Sequence, residues 1–213
     1  MTFDVAHHLG AVLRTVSSLE VEGKPARAVT LGRAYATTLE DLWDALTSPA
    51  RLSRWFMPVT GDLKLHGRYQ LEGNAGGEII ACEPPKHLSL TWEFGGDKSW
   101  VEVWLSSEGT GQTRLKLTHT AHLSEHWKEY GPGATGIGWE LSLLGLELHV
   151  TQPTEPKIDE AAFAASRDGK AIITGSGEAW AQAVIEIGED PEASVATARR
   201  TIAFYTGIPE GET

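Results

Sequence analysis

The chain of 213 residues holds a single cysteine, Cys82, so it forms no internal disulfide and no cysteine zinc cluster. Basic residues are scarce too. Eighteen Lys and Arg against 29 Asp and Glu leave a formal net charge of −11, and no basic cluster offers a grip on a phosphate backbone or an anionic membrane. Long apolar runs are missing. His7, His8 and Arg14 interrupt the N-terminal hydrophobic residues, so residues 1–20 read neither as an export signal nor as a membrane span. These absences remove disulfide scaffolds, nucleic-acid partners and membrane partners, and the expected location is cytoplasmic. With 41% hydrophobic and 22% charged residues, what is left is an ordinary globular chain with an acidic surface.

Glycine is plentiful, 23 residues, and clusters at 73–77, 95–96, 109–111 and 131–138, where turns are expected. Val5, Leu9, Val12, Val16 and Leu19 are spaced for one face of a helix over 1–20, which Gly23-Lys24-Pro25 would end. Arg27 to Ala36 reads as a first strand. Thr37 and Glu40 are placed as a capping box for a short helix carrying Leu39, Leu42, Trp43 and Leu46. Ser48-Pro49 starts a second short helix that carries Leu52, Trp55 and Phe56. Strands are expected over 67–73, 77–83, 87–94, 99–106 and 113–119, joined as an antiparallel meander. A polar loop over 120–133 then leads into a long apolar helix over 134–150. Residues 151–213 carry 11 acidic and 5 basic side chains and return to helical spacing, with Asp190-Pro191 opening a last helix that Gly207 ends.

The order strand, two short helices, antiparallel strands and long helix is the helix-grip arrangement. Glu40-Asp41-Leu42-Trp43-Asp44-Ala45-Leu46-Thr47-Ser48-Pro49 followed by Trp55-Phe56 resembles the opening of the START-like (SRPBCC, birch pollen allergen-like) superfamily. The branch it resembles is that of the homologues of the activator of heat-shock-protein ATPase. Gly76-Gly77 through Glu83-Pro84-Pro85, Leu90-Thr91-Trp92, Leu115-Lys116-Leu117-Thr118-His119 and Gly138-Trp139 continue the match in order. The later part resembles an actinobacterial-type extension of the same branch. The resemblance implies an α+β fold with a curved antiparallel sheet gripping the long helix over an elongated apolar cavity. It also implies binding of lipids, sterols, polyketides or similar molecules, with cyclase activity in some members and chaperone regulation in a subset.

Three chemistry-bearing patterns stand out. His119, His122, Glu125 and His126 have metal-ligand residue types, but they straddle a strand end and lack a His-Glu-x-x-His helix, so solvated or capping histidines are expected and no metal. Gly73-Asn74-Ala75-Gly76-Gly77 lacks the lysine and helix of a phosphate loop and reads as a hairpin turn. Cys82 alternates with Ile80 mid-strand and reads as a buried thiol. No catalytic constellation emerges and no cofactor is implied.

The eight tryptophans are more informative. Trp55 and Phe56 end the second short helix, Trp92 shares a face with Leu88, Leu90 and Phe94, and Trp139 opens the long helix. Together with Tyr69 and His119 they are the expected ligand-binding residues. Trp100 and Trp104 flank Glu102 on the opposite sheet face and call for a cover, by the tail or by a second protomer in a homodimer. The expected organisation is an N-terminal helix and linker over 1–26, a START-like domain over 27–150, and a helical extension over 151–213 packed on that domain or on a partner protomer. The expected function is binding of a small hydrophobic molecule. The alternatives are a polyketide cyclase/dehydratase-like enzyme, for which only His119 and Tyr69 are on offer, and a co-chaperone-like or dimerisation module.

Overall fold

The computed structural model describes residues 4–208. Among them the chain runs α1 (Val5–Gly10), β1 (Leu13–Val21), β2 (Lys24–Tyr35), α2 (Leu39–Thr47), α3 (Pro49–Trp55), β3 (Val59–Gly61), β4 (Arg68–Leu71), β5 (Gly76–Glu83), β6 (His87–Phe94), β7 (Asp97–Ser107), β8 (Thr113–His122), α4 (Glu125–Tyr130), α5 (Gly133–Thr151), α6 (Glu160–Ala165), α7 (Arg167–Ile185) and α8 (Pro191–Thr206). The strands lie in the order β1-β2-β8-β7-β6-β5-β4-β3, and β3 through β8 pair antiparallel in sequence.

The fold is α+β, as the sequence implied, but residues 1–20 are not one helix. Among the described residues of this segment only Val5–Gly10 is helical, and Leu13–Val21 is a strand. Val12 and Val16 suit either period, whereas Leu19 falls on the opposite face of a strand and is exposed. The Glu22-Gly23 pair decides between them, because both residues take positive φ (51° and 73°) and close a two-residue hairpin onto β2. The α2 cap lies one residue later than expected: the Thr38 hydroxyl accepts from the Asp41 N–H, while Thr37 donates to the Asp41 carboxylate. The expected loop over 120–133 contains the end of β8 and the short helix α4, capped by Ser124.

The chain forms two compact units. One comprises residues 32–121 and 142–157. Its sheet turns at Gly95-Gly96, both at positive φ, so that Phe94 faces Asp97 across the hairpin. At Gly77 the β6 backbone comes so close that a Cβ would lie 2.1 Å from the Thr91 carbonyl oxygen. The second half of α5 packs here through the buried Leu143, Leu144 and Leu146, and the Tyr35 hydroxyl donates to the Leu143 carbonyl at 3.2 Å. Arg33, buried on β2, pairs with Glu147.

The other unit comprises residues 1–31, 122–141 and 158–213. It is built around Ile137, Ile173 and Trp180, all fully buried. Glu140 is its polar centre. The carboxylate accepts from Arg14 Nε and Nη2, Ser176 Oγ and Trp180 Nε1, each at 2.7 Å. A carboxylate with four charge-matched or neutral donors satisfies its lone pairs, which is what permits its burial. The tail helices α7 and α8 open on the caps Ser166 and Asp190, and α8 ends at Gly207 in the left-handed conformation, as its sequence indicated.

Candidate functional site

The inner face of the sheet in the first unit is laid down by simple alternation. Leu88, Leu90 and Trp92 of β6 stand opposite Val103, Val101 and Ser99 of β7, and Val101 stands opposite His119 of β8. On the other flank Tyr69 and Leu71 of β4 and Ile79 of β5 form a buried apolar cluster. Phe56, Met57, Val59, Cys82, Leu88, Leu90 and Trp92 pack against it while remaining partly open to solvent. The face is apolar except for Ser99, His119 and the Tyr69 hydroxyl, and the side chains around its buried cluster are only partly covered.

Trp55 anchors the end of α3. Its Nε1 donates to the Ala45 carbonyl at 2.9 Å, and its ring stacks on Phe56 with centroids 5.3 Å apart. The helix pair is fixed from behind by Arg51, whose Nη1 donates to the Asp41 carbonyl and carboxylate and to Asp44, and whose Nε donates to His149 Nε2 at 3.2 Å. The Arg51 hydrogen bond holds the Asp41 carboxyl below the usual carboxylate range. Burial, with the Arg51 and Arg54 charges, lowers the His149 pKa, and neutral His149 is the form that can accept from Arg51.

Tyr69 places its hydroxyl on the Thr91 carbonyl at 2.7 Å, and burial pushes its pKa up. His119 lies beside Trp92, ring centroids 6.0 Å apart, with Nε2 2.9 Å from Ser99 Oγ. The single Ser99 proton points at the Trp92 carbonyl, 3.1 Å away, so Nε2 carries the hydrogen and Ser99 accepts it. Removal from water lowers the His119 pKa to about 4, so the ring is neutral at physiological pH.

The structure thus joins five of the expected residues in one unit: Phe56, Tyr69 and Trp92 through the apolar cluster, Trp55 through Phe56, and His119 through Trp92. Trp139, half-buried on α5, belongs to the other unit. Sequence reasoning passed over Ser99, although it is in phase with Val101 and Val103, and missed Met57 and Val59, which precede or open a strand of three residues. It also misplaced Cys82. A register shift between Ile79 and Ala81 leaves Ile80 exposed and puts Cys82 on the Ile79 face. The histidine pattern disperses: Glu125 pairs with Lys128, His126 packs on the Tyr130 ring, and no three His, Cys, Asp or Glu side chains among the described residues are grouped to hold a metal. On the opposite sheet face Trp104 is 43% exposed and stacks on His87 at 3.8 Å, while Lys98 lies over Trp100. No helix among the described residues is long and apolar enough to cross a membrane.

The model of the family described as "Activator of Hsp90 ATPase homolog 1-like protein" matches residues 36–151. CalU16 from Micromonospora echinospora is similar over 82% of this chain and 99% of its own in a crystal structure, with 32% identity and a TM-score of 0.66. Its solution structure gives 33% identity over 83% of this chain and 96% of its own, with a TM-score of 0.69. An HSP90 activator from Plasmodium falciparum, PFC0360w, shares the fold at 24% identity and a TM-score of 0.51, over 61% of this chain and 99% of its own. No curated protein matches the chain.

Proposed function

Because the chain belongs to the activator of Hsp90 ATPase homolog 1-like family, a branch of the START-like superfamily, we propose that it is a cytoplasmic protein that binds a small, neutral, hydrophobic molecule on the inner face of its sheet. Trp55, Phe56, Tyr69, Trp92 and His119 are the ligand-binding residues of this reading, which is confined to those that share one compact unit. The observation that carries it is the incompletely covered apolar face: Phe56, Met57, Val59, Leu88, Leu90 and Trp92 are only partly buried around Tyr69, Leu71 and Ile79. Covering such a face is favourable by about 25 cal/mol for each Å² of apolar area, so roughly 200 Å² yields on the order of 5 kcal/mol before ordering costs. The apolar cluster contains no charged side chain, and His119 is neutral. A charged ligand would lose its hydration there without gaining a counter-charge.

The enzyme alternative, a cyclase/dehydratase-like activity, needs an acid–base pair poised near neutral pH. Tyr69 donates its proton to a backbone carbonyl, and a His119 pKa of about 4 makes a weak base and no acid at pH 7. Binding without turnover is therefore the better supported reading. The test is native mass spectrometry of freshly purified protein, followed by solvent extraction. A stoichiometric adduct, released on denaturation and recovered as an uncharged organic molecule, supports the proposal. Protein that carries no adduct and takes up no neutral hydrophobic compound offered to it defeats the proposal.

A further inference from the structure

α3 is seven residues long, too short to hold its shape without its neighbours. Much of the support comes from one guanidinium. Arg51 Nη1 donates to the carbonyl and carboxylate of Asp41 and to the Asp44 carboxylate, which ties α3 to α2. Its Nε donates to Nε2 of His149, a buried residue near the end of α5, and so ties α3 to the long helix within the same unit. One turn along, the two helices meet again. Gly145 of α5 lies so close to α3 that a Cβ there would stand 3.1 Å from the Trp55 carbonyl oxygen. The Trp55 ring in turn stacks on Phe56, at the apolar face. The Arg51–His149 contact therefore helps set how α3 sits on α5, and with it where Trp55 and Phe56 stand.

That contact has no room for a second proton. The arginine Nε always carries its hydrogen, so His149 must offer a lone pair at Nε2. A protonated ring would set two N–H groups and two positive charges against each other across 3.2 Å. The charges around the ring do not relieve this. Arg51 and Arg54 act on it from α3, and Arg54 donates to the Pro153 carbonyl. Asp41 on α2 attracts the imidazolium, but Asp41 and Asp44 are both already engaged by Arg51. On α5 itself, Glu147 pairs with Arg33 of β2. Burial, with the two arginines, accordingly holds the His149 pKa below its ordinary 6.5.

We propose that His149 is a positioning residue for the ligand face: neutral, it latches α3 with Trp55 and Phe56 in place, and on gaining a proton it lets α3 loosen and the ligand leave. The ligand half of this rests on the function proposed above. The direction follows from linkage. With α3 loosened the ring is solvated and titrates near 6.5, whereas in the latched form it titrates lower. Below pH 6.5 protons therefore favour the loosened form, by about tenfold per pH unit until the latched form titrates as well. His119 adds little between pH 7.5 and pH 5.5, since its pKa is about 4.

Hydrogen exchange of the α3 amides in the full chain, corrected for intrinsic exchange rates, reads the latch without any ligand. Protection should fall roughly fivefold or more between pH 7.5 and pH 5.5. His149→Gln keeps an acceptor for Arg51 but does not titrate, so its α3 should stay protected at both values. Arg51→Met removes the partner instead, so protection should be low and insensitive to pH. A wild type without the pH dependence, or either variant that retains it, overturns the proposal. Nile red added to the same proteins separates the latch from the ligand reading. The wild type should bind it more weakly at pH 5.5, again by roughly fivefold or more, while His149→Gln should bind it equally at both values. Wild-type binding as tight at pH 5.5 as at pH 7.5, with α3 loosened, overturns the coupling and leaves the ligand reading standing. A pH-dependent α3 with no Nile red binding at either value overturns the ligand reading, and the ligand half of the proposal with it.

Discussion

Lowering the pH should destabilise the protein through His119, and the size of the effect follows from where the ring sits. In the folded chain its pKa falls from the ordinary 6.5 to about 4, because burial penalises the imidazolium. Between those values the unfolded chain binds more protons than the folded one, so stability is intact above pH 6.5 and declines as the pH falls toward 4. The whole difference corresponds to roughly 3 kcal/mol, of which about 2 kcal/mol is gone by pH 5. Urea unfolding at pH 8 and pH 5, on the wild type and on His119→Gln, isolates this contribution. Glutamine can still donate to Ser99 but does not titrate, and the remaining acidic and basic groups are common to both proteins. The wild type should lose about 2 kcal/mol more than His119→Gln between the two pH values. Equal losses, or an imidazole NMR signal that titrates near 6.5, would show that the ring is solvated and that the face around Trp92 is wet.

Three further outcomes are expected. Arg14→Met should cost about 3–5 kcal/mol in chemical denaturation by stranding the buried Glu140 carboxylate, and Arg14→Met with Glu140→Met should recover most of that loss. Gly136→Ala should lower the melting temperature, since its Cβ would lie 2.2 Å from the Trp180 ring and overpacking a core costs about 1–3 kcal/mol. Thr38→Ala should cost about 1 kcal/mol as the loss of an N-cap, measured by urea unfolding.

Much of the fold was legible because alternation and capping act locally. β6, β7 and β8 follow the period of two in Leu88-Leu90-Trp92, Val101-Val103-Leu105 and Leu115-Leu117-His119, and their pairing sets these on one face. The N-terminal segment misled because Val12, Val16 and Leu19 satisfy a helical spacing, while the hairpin turn that makes Leu13–Val21 a strand depends on two residues with positive φ. Cys82 misled because the register shift at Ile79–Ala81 resets the alternation, and a bulge leaves little mark in the sequence. Of the candidate site, the aromatic anchors were legible as residue types on defined faces. The Ser99–His119 hydrogen bond was not, since it joins two strands through a diagonal that only the paired register reveals. The Arg14–Glu140–Trp180 network was equally hidden, because Glu140 lies 126 residues from Arg14 and 40 from Trp180 and the three meet only in the folded unit.

The central claim is that the inner sheet face holds a neutral apolar ligand, and titration of ligand-stripped protein with Nile red, an uncharged hydrophobic dye, tests it most directly. The account predicts saturable one-to-one binding that quenches tryptophan fluorescence and is weakened by about tenfold in both Trp92→Ala and Leu90→Glu, with the folded state confirmed for each variant. Absence of saturable binding, or binding of equal strength in the wild type and both variants, would contradict it.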